Sequence, residues 1–218
     1  MQPVELEEPQ ALQQMPAPQP TSTAQNLSTG SAILFSALLA SGLTLRVALP
    51  LRWFSWHPFL MLLGFISFAC AGIAAKTKGG RTNTLNHGYL MCFATACCLG
   101  GWYVIHEQKN MLGKPHITTW HAYFGLAVII LYTLGAAGGL AALHPDFGVA
   151  RTSQDFRRVH KWSGRFATFL SFVALATGWV KLSSNLETVL LVGLLALLSW
   201  AVLLPPAWRM GTTASAAI

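Results

Sequence analysis

The chain has 218 residues, of which 53% are hydrophobic and only 10% are charged. A soluble domain has about 25% charged residues, so this composition excludes an ordinary soluble protein and predicts an integral membrane protein surrounded by lipid. The 14 Lys and Arg residues exceed the 7 Asp and Glu residues, which gives a net charge of +7. In a membrane protein such an excess reflects the distribution of charge between the two faces, so no nucleic-acid partner is predicted.

The first 29 residues are rich in Pro, Gln, Ser and Thr and contain neither the basic start nor the apolar run of a signal peptide. We predict a disordered tail over residues 1–29. Six apolar runs follow, each about as long as the roughly 20 residues that cross a bilayer as a helix. They cover residues 31–49, 56–75, 87–105, 120–143, 162–180 and 187–204. The predicted fold class is an all-α membrane protein, a six-transmembrane-helix bundle over residues 30–206 with a short tail over 207–218.

Basic residues are unequally distributed between the two faces that this six-span topology defines. An even number of spans places both termini on one face, together with the loops between spans 2 and 3 and between spans 4 and 5. That face has nine Lys and Arg residues, whereas the opposite face has five. Because cytoplasmic loops have an excess of Lys and Arg, we predict that both termini lie in the cytosol.

Four of the seven histidines lie within a few residues of the start of a predicted span. His57 and His121 belong to spans 2 and 4, which begin on the non-cytosolic side, and His87 and His160 belong to spans 3 and 5, which begin in the cytosol. Two pairs result at opposite depths, about 20 Å apart. Two facing imidazoles can ligate one haem iron, and six-coordinate iron suits electron transfer. We therefore predict that spans 2 to 5 form a four-helix di-haem core.

Two glycines strengthen the haem interpretation, because Gly125 follows His121 and Gly164 follows His160 by four residues. Positions four apart lie on the same face of a helix, so each pair has one histidine beside a missing side chain. The alternatives are that the histidines are polar groups at the membrane interface and that the glycines serve helix packing. Zinc fits less well, since it favours three or four clustered ligands with carboxylate or thiolate groups.

Two other classes of function stay open on these observations. The histidines can carry protons or metal in a transporter of metals or small solutes, or the chain can be a membrane scaffold without catalysis. No acidic residue lies in the interior of a predicted span. Ion-coupled transporters usually have intramembrane carboxylates or interrupted helices, so this absence argues against the first alternative.

The motifs around the four histidines resemble the eukaryotic cytochrome b561 family, and the resemblance covers about residues 30–206. Four segments carry it: Phe54-Ser55-Trp56-His57-Pro58, Asn86-His87-Gly88, Thr119-Trp120-His121-Ala122-Tyr123-Phe124-Gly125 and Val159-His160-Lys161-Trp162-Ser163-Gly164. A fifth, Leu112-Gly113-Lys114-Pro115-His116, looks like the short b561 domain-containing (tumour-suppressor-like protein 2) subgroup.

The resemblance implies two b-type haems, one held by His57 and His121 and the other by His87 and His160. It also implies a transmembrane ascorbate-dependent oxidoreductase of the endoplasmic reticulum, vesicles or another internal membrane. Such an enzyme takes electrons from cytosolic ascorbate and delivers them to monodehydroascorbate or ferric iron on the opposite side. Dimers occur in the family, so a homodimer in membrane lipid is one assembly to expect.

Ascorbate is an anion at neutral pH, so its site should be basic, and the family has basic residues just before the histidine of span 3. Arg81 is the first candidate, with Lys78 and Lys76 as neighbours, although the same residues also set the orientation in the membrane. His106 and His116 are candidates for the acceptor site on the other face. The sequence departs from ascorbate-binding members in two ways, since no arginine ends span 2 and Leu stands two residues before the histidine of span 3.

Overall fold

The computed structural model describes Gly42 and residues 50–182, and among these residues the regular secondary structure is entirely helical. Four helices are long and apolar enough to cross a membrane. We name them α1 (Trp53–Thr77), α2 (Gly80–Met111), α3 (Trp120–Leu143) and α4 (Gln154–Leu182). They correspond to predicted spans 2 to 5. Predicted spans 1 and 6 and both predicted tails lie outside the described residues.

Helix α3 has the predicted bounds, but α2 and α4 extend beyond the apolar runs that predict them. Helix α2 covers residues 80 to 111 rather than 87 to 105, and α4 begins at residue 154 rather than near 162. The predicted bounds were wrong because they followed hydropathy, whereas the backbone hydrogen bonds of a helix continue through polar residues at the membrane surface. His87 and His160 therefore lie inside their helices rather than at their starts.

The helices begin and end where the local sequence favours a break. Gly79 and Gly80 have φ angles of 73° and 81°, a conformation that glycine adopts without steric cost, and they separate α1 from α2. The Thr119 hydroxyl accepts a hydrogen bond from the third backbone N–H of α3, and the Ser153 hydroxyl accepts one from the first turn of α4. These caps satisfy groups that a helix start leaves without an intrahelical partner.

The four helices pack around one central core. Helix α1 lies antiparallel along α2, α3 lies antiparallel along α4, and α2 also contacts α3. The core contains Phe65 of α1, Cys98 of α2, Tyr132 of α3 and Ala167 of α4, all of them buried. The Phe65 and Tyr132 rings meet edge to face with centres 5.3 Å apart. This packing fixes the register of the helices and so sets which residues meet at each end.

Helix α1 changes its hydrogen-bond pattern near its centre. Residues Leu63–Ala69 are π-helical, between the α-helical segments Trp56–Leu62 and Cys70–Thr77. A Cβ on Gly64 would come within 3.0 Å of the Ala94 carbonyl oxygen on α2. The missing side chain lets α1 and α2 approach closely between the two ends of the bundle.

The outer surface of these helices is strongly apolar. Large side chains such as Tyr89, Phe93, Leu134, Phe166 and Phe169 are exposed on it. Soluble monomers rarely expose large contiguous apolar patches, so this surface is suited to lipid. The predictions of an all-α protein and of an integral membrane protein are confirmed for the described part of the chain.

Candidate functional site

The structure brings His57 of α1 and His121 of α3 together, with ring centres 6.1 Å apart and ring planes at 83°. The Nδ1 atom of His57 lies 2.8 Å from the Gly101 carbonyl oxygen, and the Nδ1 atom of His121 lies 2.9 Å from the Ala174 carbonyl oxygen. A carbonyl oxygen only accepts hydrogen bonds, so each Nδ1 donates its proton and each Nε2 keeps its lone pair. Nε2 is therefore the atom that each ring offers to a metal.

His87 of α2 and His160 of α4 form a second pair, with ring centres 6.4 Å apart and ring planes at 89°. The Nδ1–H of His87 donates to the Gly72 carbonyl oxygen at 3.0 Å, which leaves its Nε2 for a metal. The His160 ring packs against Gly139 of α3, where a Cβ would lie 3.2 Å from the ring Cε1. No hydrogen-bond partner of the His160 ring occurs among residues 50–182.

The two pairs lie at opposite ends of the four-helix unit. Helix α1 rises about 22 Å between His57 and Gly72, whose carbonyl holds His87. Helix α2 rises about 21 Å between His87 and Gly101, whose carbonyl holds His57. Both values agree with the separation of about 20 Å expected from a hydrocarbon core of about 30 Å, less about a turn at each end.

The ring spacing in each pair suits one iron atom between the two imidazoles. Two metal–nitrogen bonds of about 2 Å each, plus about 1 Å from each nitrogen to its ring centre, give ring centres about 6 Å apart. In the part of the chain that the structure describes, no group of three or more His, Cys, Asp and Glu residues could hold a metal ion. A metal at either pair would therefore have two protein ligands, and a haem macrocycle supplies the other four.

Two predicted glycines provide space beside these rings. A Cβ on Gly125 or Gly164 would meet nothing within 4 Å. Each glycine lies one helical turn after a paired histidine, on the same helix face. The open space next to one ring of each pair fits the flat plate of a haem.

Sequence reasoning missed a closer glycine, Gly178 of α4. A Cβ there would lie only 2.7 Å from Cε1 of His121, so any side chain at this position would displace the ring. Gly139 of α3 makes a similar but less close contact with His160, since a Cβ there would lie 3.2 Å from the ring Cε1. Each of these glycines lies on a different helix from the ring it contacts, so no local spacing in the sequence identifies it.

A cavity of about 450 Å³ opens beside the His57–His121 pair. Its lining residues are Thr119, Trp120, His121, Thr177, Val180 and Lys181. The cavity is mostly apolar in its walls, with one cationic side chain at its edge. These features suit part of a flat apolar cofactor that has acidic substituents.

The donor candidates lie at the end of the bundle that includes the turn at 78–79 and the loop 144–153, which we call the basic face. Arg81 is already paired there, because its Nε and Nη2 donate to the two carboxylate oxygens of Asp146 at 2.9 and 2.6 Å. The hydrogen bonds from Arg81 hold the pKa of the Asp146 carboxyl below its usual value. The first candidate of the sequence analysis is thus partly neutralised by a carboxylate 65 residues away.

Lys76 has a different environment on the same face. Its Nζ donates to the Thr84 hydroxyl at 2.7 Å, a neutral group, so this contact does not offset the charge of the lysine. Lys76 is close enough to His87 and His160 to interact electrostatically with both rings. The neighbouring Lys78 is exposed at the end of α1. Of the three candidates, Lys76 has the clearest electrostatic connection to a histidine pair.

The two acceptor candidates meet at the other end of the bundle, where α2 ends and the loop 112–119 begins, which we call the His116 face. The rings of His106 and His116 stack with centres 4.4 Å apart. Asn110 joins them, since its side chain lies 3.2 Å from His106 Nδ1 and 2.9 Å from His116 Nε2. Glu107 lies 3.2 Å from His106 Nδ1. This polar cluster offers imidazole and amide groups for hydrogen bonds to an acceptor.

The sequence profile described as eukaryotic cytochrome b561 matches residues 56–184, a segment that contains α1 to α4 and both histidine pairs. The protein belongs to this family. Curated relatives include the transmembrane reductase CYB561D2 of Bos taurus and of Mus musculus, each 29% identical over 157 residues, or 66% of this chain and 71% of the relative. The Homo sapiens protein of the same name is 29% identical over 159 residues, with the same coverage.

These comparisons confirm the predicted family and its short b561 domain-containing subgroup. Family membership and the reductase names of the relatives support an oxidoreductase that transfers electrons across a membrane and binds b-type haem. They favour electron transfer over the transporter and scaffold alternatives.

Proposed function

We propose that this protein transfers electrons across its membrane through two b-type haems, from ascorbate at the basic face to monodehydroascorbate or ferric iron at the His116 face. The observation that carries the proposal is the presence of a histidine pair at each end of the four-helix unit, each with ring spacing suited to one iron atom. Two redox sites at opposite depths of membrane-spanning helices provide a route for electrons, which a single site would not.

In this proposal His57 and His121 would hold one haem, and His87 and His160 would hold the other. A haem bound by two histidines would exchange single electrons and would not bind oxygen. Backbone carbonyl groups on neighbouring helices hold the Nδ1–H of three of the four rings. These bonds fix the tautomer, orient Nε2 and raise its basicity.

The region between the two pairs keeps them at a constant distance. Phe65 and Tyr132 are both about 3% exposed and pack edge to face there. Closely packed protein interiors have few voids large enough for water. The core therefore supports electron transfer while excluding the water that would let ions cross.

We place the basic face in the cytosol. Among residues 50–182, eight Lys and Arg residues lie at this end and four lie at the other. The eight are Lys76, Lys78, Arg81, Arg151, Arg157, Arg158, Lys161 and Arg165; the four are Arg52, Lys109, Lys114 and Lys181. This asymmetry follows the positive-inside rule and supports a cytosolic basic face, to which cytosolic ascorbate has access. The internal membrane that we propose, that of the endoplasmic reticulum or a vesicle, rests on the family resemblance.

The basic face attracts the ascorbate monoanion. Lys76, Lys78 and Arg81 lie on the same face of the bundle as the His87–His160 pair and are exposed, and clustered cations raise the local concentration of an anion. Ascorbate that gives up one electron and one proton becomes monodehydroascorbate. The radical product is also an anion, so we expect it to dissociate by exchange with fresh donor.

The His106–His116 cluster is the proposed acceptor site. Helix α2 rises about 8 Å between Gly101, which holds His57, and His106. An acceptor at this cluster would lie close to the His57–His121 pair. Imidazole groups suit iron, and ring N–H groups can donate to the oxygens of monodehydroascorbate, which takes up one electron and one proton to return to ascorbate.

We also propose that residues 30–206 form one b561-type domain of six transmembrane helices, with cytosolic tails over 1–29 and 207–218. The family match over residues 56–184 supports its four-helix core. The apolar runs at 31–49 and 187–204 are long enough to flank that core in lipid.

The test of the proposed function is a visible spectrum of the purified full-length protein, together with chemical haem quantification. We expect two low-spin haems per chain, both reduced by ascorbate. A protein without haem would overturn the proposal, and one haem per chain would contradict the two-site arrangement. Reduction by dithionite but not by ascorbate would exclude ascorbate as the donor.

A vesicle assay tests the direction across the membrane. Protein is reconstituted into lipid vesicles that enclose a ferric chelate, and ascorbate is added outside. We expect internal ferrous iron to form in proportion to the number of chains whose basic face points outward. Equal haem reduction without internal ferrous iron would contradict transmembrane transfer.

A further inference from the structure

Arg81 and Asp146 form an ion pair in which two N–H groups of the guanidinium bind the two oxygens of the carboxylate. Both oxygens accept a hydrogen bond, at 2.9 and 2.6 Å. Such two-pronged geometry is the arrangement in which Arg binds carboxylates most strongly and with most directional preference. An anionic donor that approaches Arg81 would therefore meet a guanidinium whose charge is offset by Asp146 and whose Nε–Nη2 edge is already used.

The loop that follows α3 holds Asp146 in position for this contact. The backbone N–H of Asp146 donates to Nδ1 of His144 at 3.3 Å, and the Arg151 side chain donates to the Asp146 carbonyl oxygen. The Gly148 N–H donates to the His144 carbonyl oxygen at 3.0 Å. A Cβ on Gly148 would lie 2.6 Å from three backbone atoms of this turn, so the loop closes tightly only with glycine.

Charge on the basic face is otherwise mostly positive. In the described part of the chain this face has two acidic residues, Asp146 and Asp155. Asp155 pairs with Arg158 on the same helix at 3.1 Å, whereas Asp146 contacts a candidate donor residue. Among residues 50–182 the Lys76 side chain hydrogen-bonds to a neutral hydroxyl alone. Of the donor candidates Lys76 and Arg81, Arg81 is therefore the one whose charge a carboxylate offsets.

We propose that Asp146 is a positioning residue that limits the affinity of the basic face for anionic electron donors, because its carboxylate binds one edge of the Arg81 guanidinium and offsets its charge. The proposal rests on the proposed function, in which an anion delivers electrons at this face. Asp146 acts through Arg81 and not on the donor itself, so it should change the concentration of donor required and leave the maximal rate nearly unchanged.

The expected size of the effect follows from the exposure of the pair. The two side chains are 62% and 46% exposed, and ion pairs in water are weak. We expect Asp146→Asn to lower the half-saturating ascorbate concentration by about two- to fivefold at low ionic strength. The difference should shrink as salt is added, because exposed charges are screened.

The experiment measures haem reduction in the full-length protein by stopped flow with two donors, ascorbate as the anion and tetramethylhydroquinone as the neutral donor. Asp146→Asn should lower half-saturation for ascorbate and leave the hydroquinone rate unchanged. Asp155→Asn removes the other acid that the described part of this face offers, which is 88% exposed, and should change neither value. Asp146→Glu keeps the carboxylate and should restore the wild-type half-saturation.

Three results would overturn the proposal. One is an unchanged half-saturation for ascorbate in Asp146→Asn, and another is an increased one. The third is an equal change with both donors, which would assign Asp146 a purely structural role in the loop. Wild-type protein that ascorbate fails to reduce would instead overturn the proposed donor, so failure of the proposed function is distinguishable from failure of this inference.

Discussion

The two histidine pairs have nearly the same geometry but are supported differently at the two ends of the protein. Ring centres are 6.1 and 6.4 Å apart, and the planes are close to perpendicular in both pairs. In the His57–His121 pair each ring donates to a backbone carbonyl on a neighbouring helix. In the other pair only His87 does so, and within residues 50–182 His160 is positioned by packing alone.

The surroundings of the pairs differ more than the pairs themselves. Trp53 Nε1–H donates to the Val104 carbonyl oxygen at 3.0 Å, which ties α1 to α2 beside the His57–His121 pair. The other pair lies beneath the cations of the basic face, with Lys76 close by. The geometry of the histidine rings therefore depends on helix packing, whereas the electrostatic environment of each pair depends on the adjoining turns and loops.

The largest expected effect comes from removing one histidine from a single pair. His160→Ala should remove the haem at the basic face and reduce haem content from two to one per chain, because a lone histidine provides one axial bond. His57→Ala should remove the other haem. Haem quantification and visible spectra check this, with His144→Ala, outside both pairs, as the control. Loss of the same spectral component in both variants would contradict the pairing.

The second prediction tests how the neighbouring helix positions the His121 ring. Gly178→Ala should displace the His121 ring, because the new Cβ would lie 2.7 Å from its Cε1. We expect a loss of about 1–3 kcal/mol in the free energy of unfolding, as for overpacked interiors, and a changed electron paramagnetic resonance signal from one haem. Gly138→Ala, whose nearest atom is 4.0 Å away, is the matched control. Equal behaviour of the two variants would refute this role of Gly178.

A smaller effect tests the electrostatic difference. Lys76→Gln should lower the reduction potential of the basic-face haem by roughly 20–80 mV, since a nearby positive charge favours the form with the extra electron. The potential of the other haem should change much less. A redox titration checks both values, with Lys78→Gln as the control at the exposed end of α1. A shift of the other haem alone would reverse the assignment of the two ends.

The smallest effect concerns the pH dependence of the Arg81–Asp146 pair. Because the hydrogen bonds from Arg81 lower the pKa of Asp146 in the folded protein, the pair stabilises the fold above the ordinary carboxyl pKa of about 4. That stabilisation is lost as pH falls through the lowered pKa. The difference in unfolding between wild type and Asp146→Asn should be constant from pH 8 to 5 and shrink in more acidic solution. A difference that changes near neutral pH would contradict this.

Hydropathy was sufficient to predict the helices but not all of their ends. The bounds of α3 match because Thr119 is a good cap directly before the apolar run. Helices α2 and α4 extend through polar residues, where hydropathy has no signal and helix length depends on caps and neighbours. Predicted spans 1 and 6 lie outside the described residues and stay predictions.

The candidate donor and acceptor sites were also only partly predictable from the sequence. His106 and His116 were predicted as members of one acceptor site, and the structure shows their rings stacked. Arg81 was predicted as the first donor residue, but its partner Asp146 was not. The two are 65 residues apart, and their contact depends on a loop conformation that no local pattern in the sequence predicts.

The sequence by itself determined that the protein lies in a membrane and which four histidines face each other in two pairs. Both follow from apolar run length and from short connections, because consecutive spans must alternate in direction and so reveal the depth of each residue. Only the tertiary structure decided which carbonyl groups orient the rings, that Gly178 and Gly139 make room for them, and that Asp146 occupies Arg81. These contacts depend on the rotation and close approach of different helices and on loop closure, which packing sets and a one-dimensional pattern does not contain.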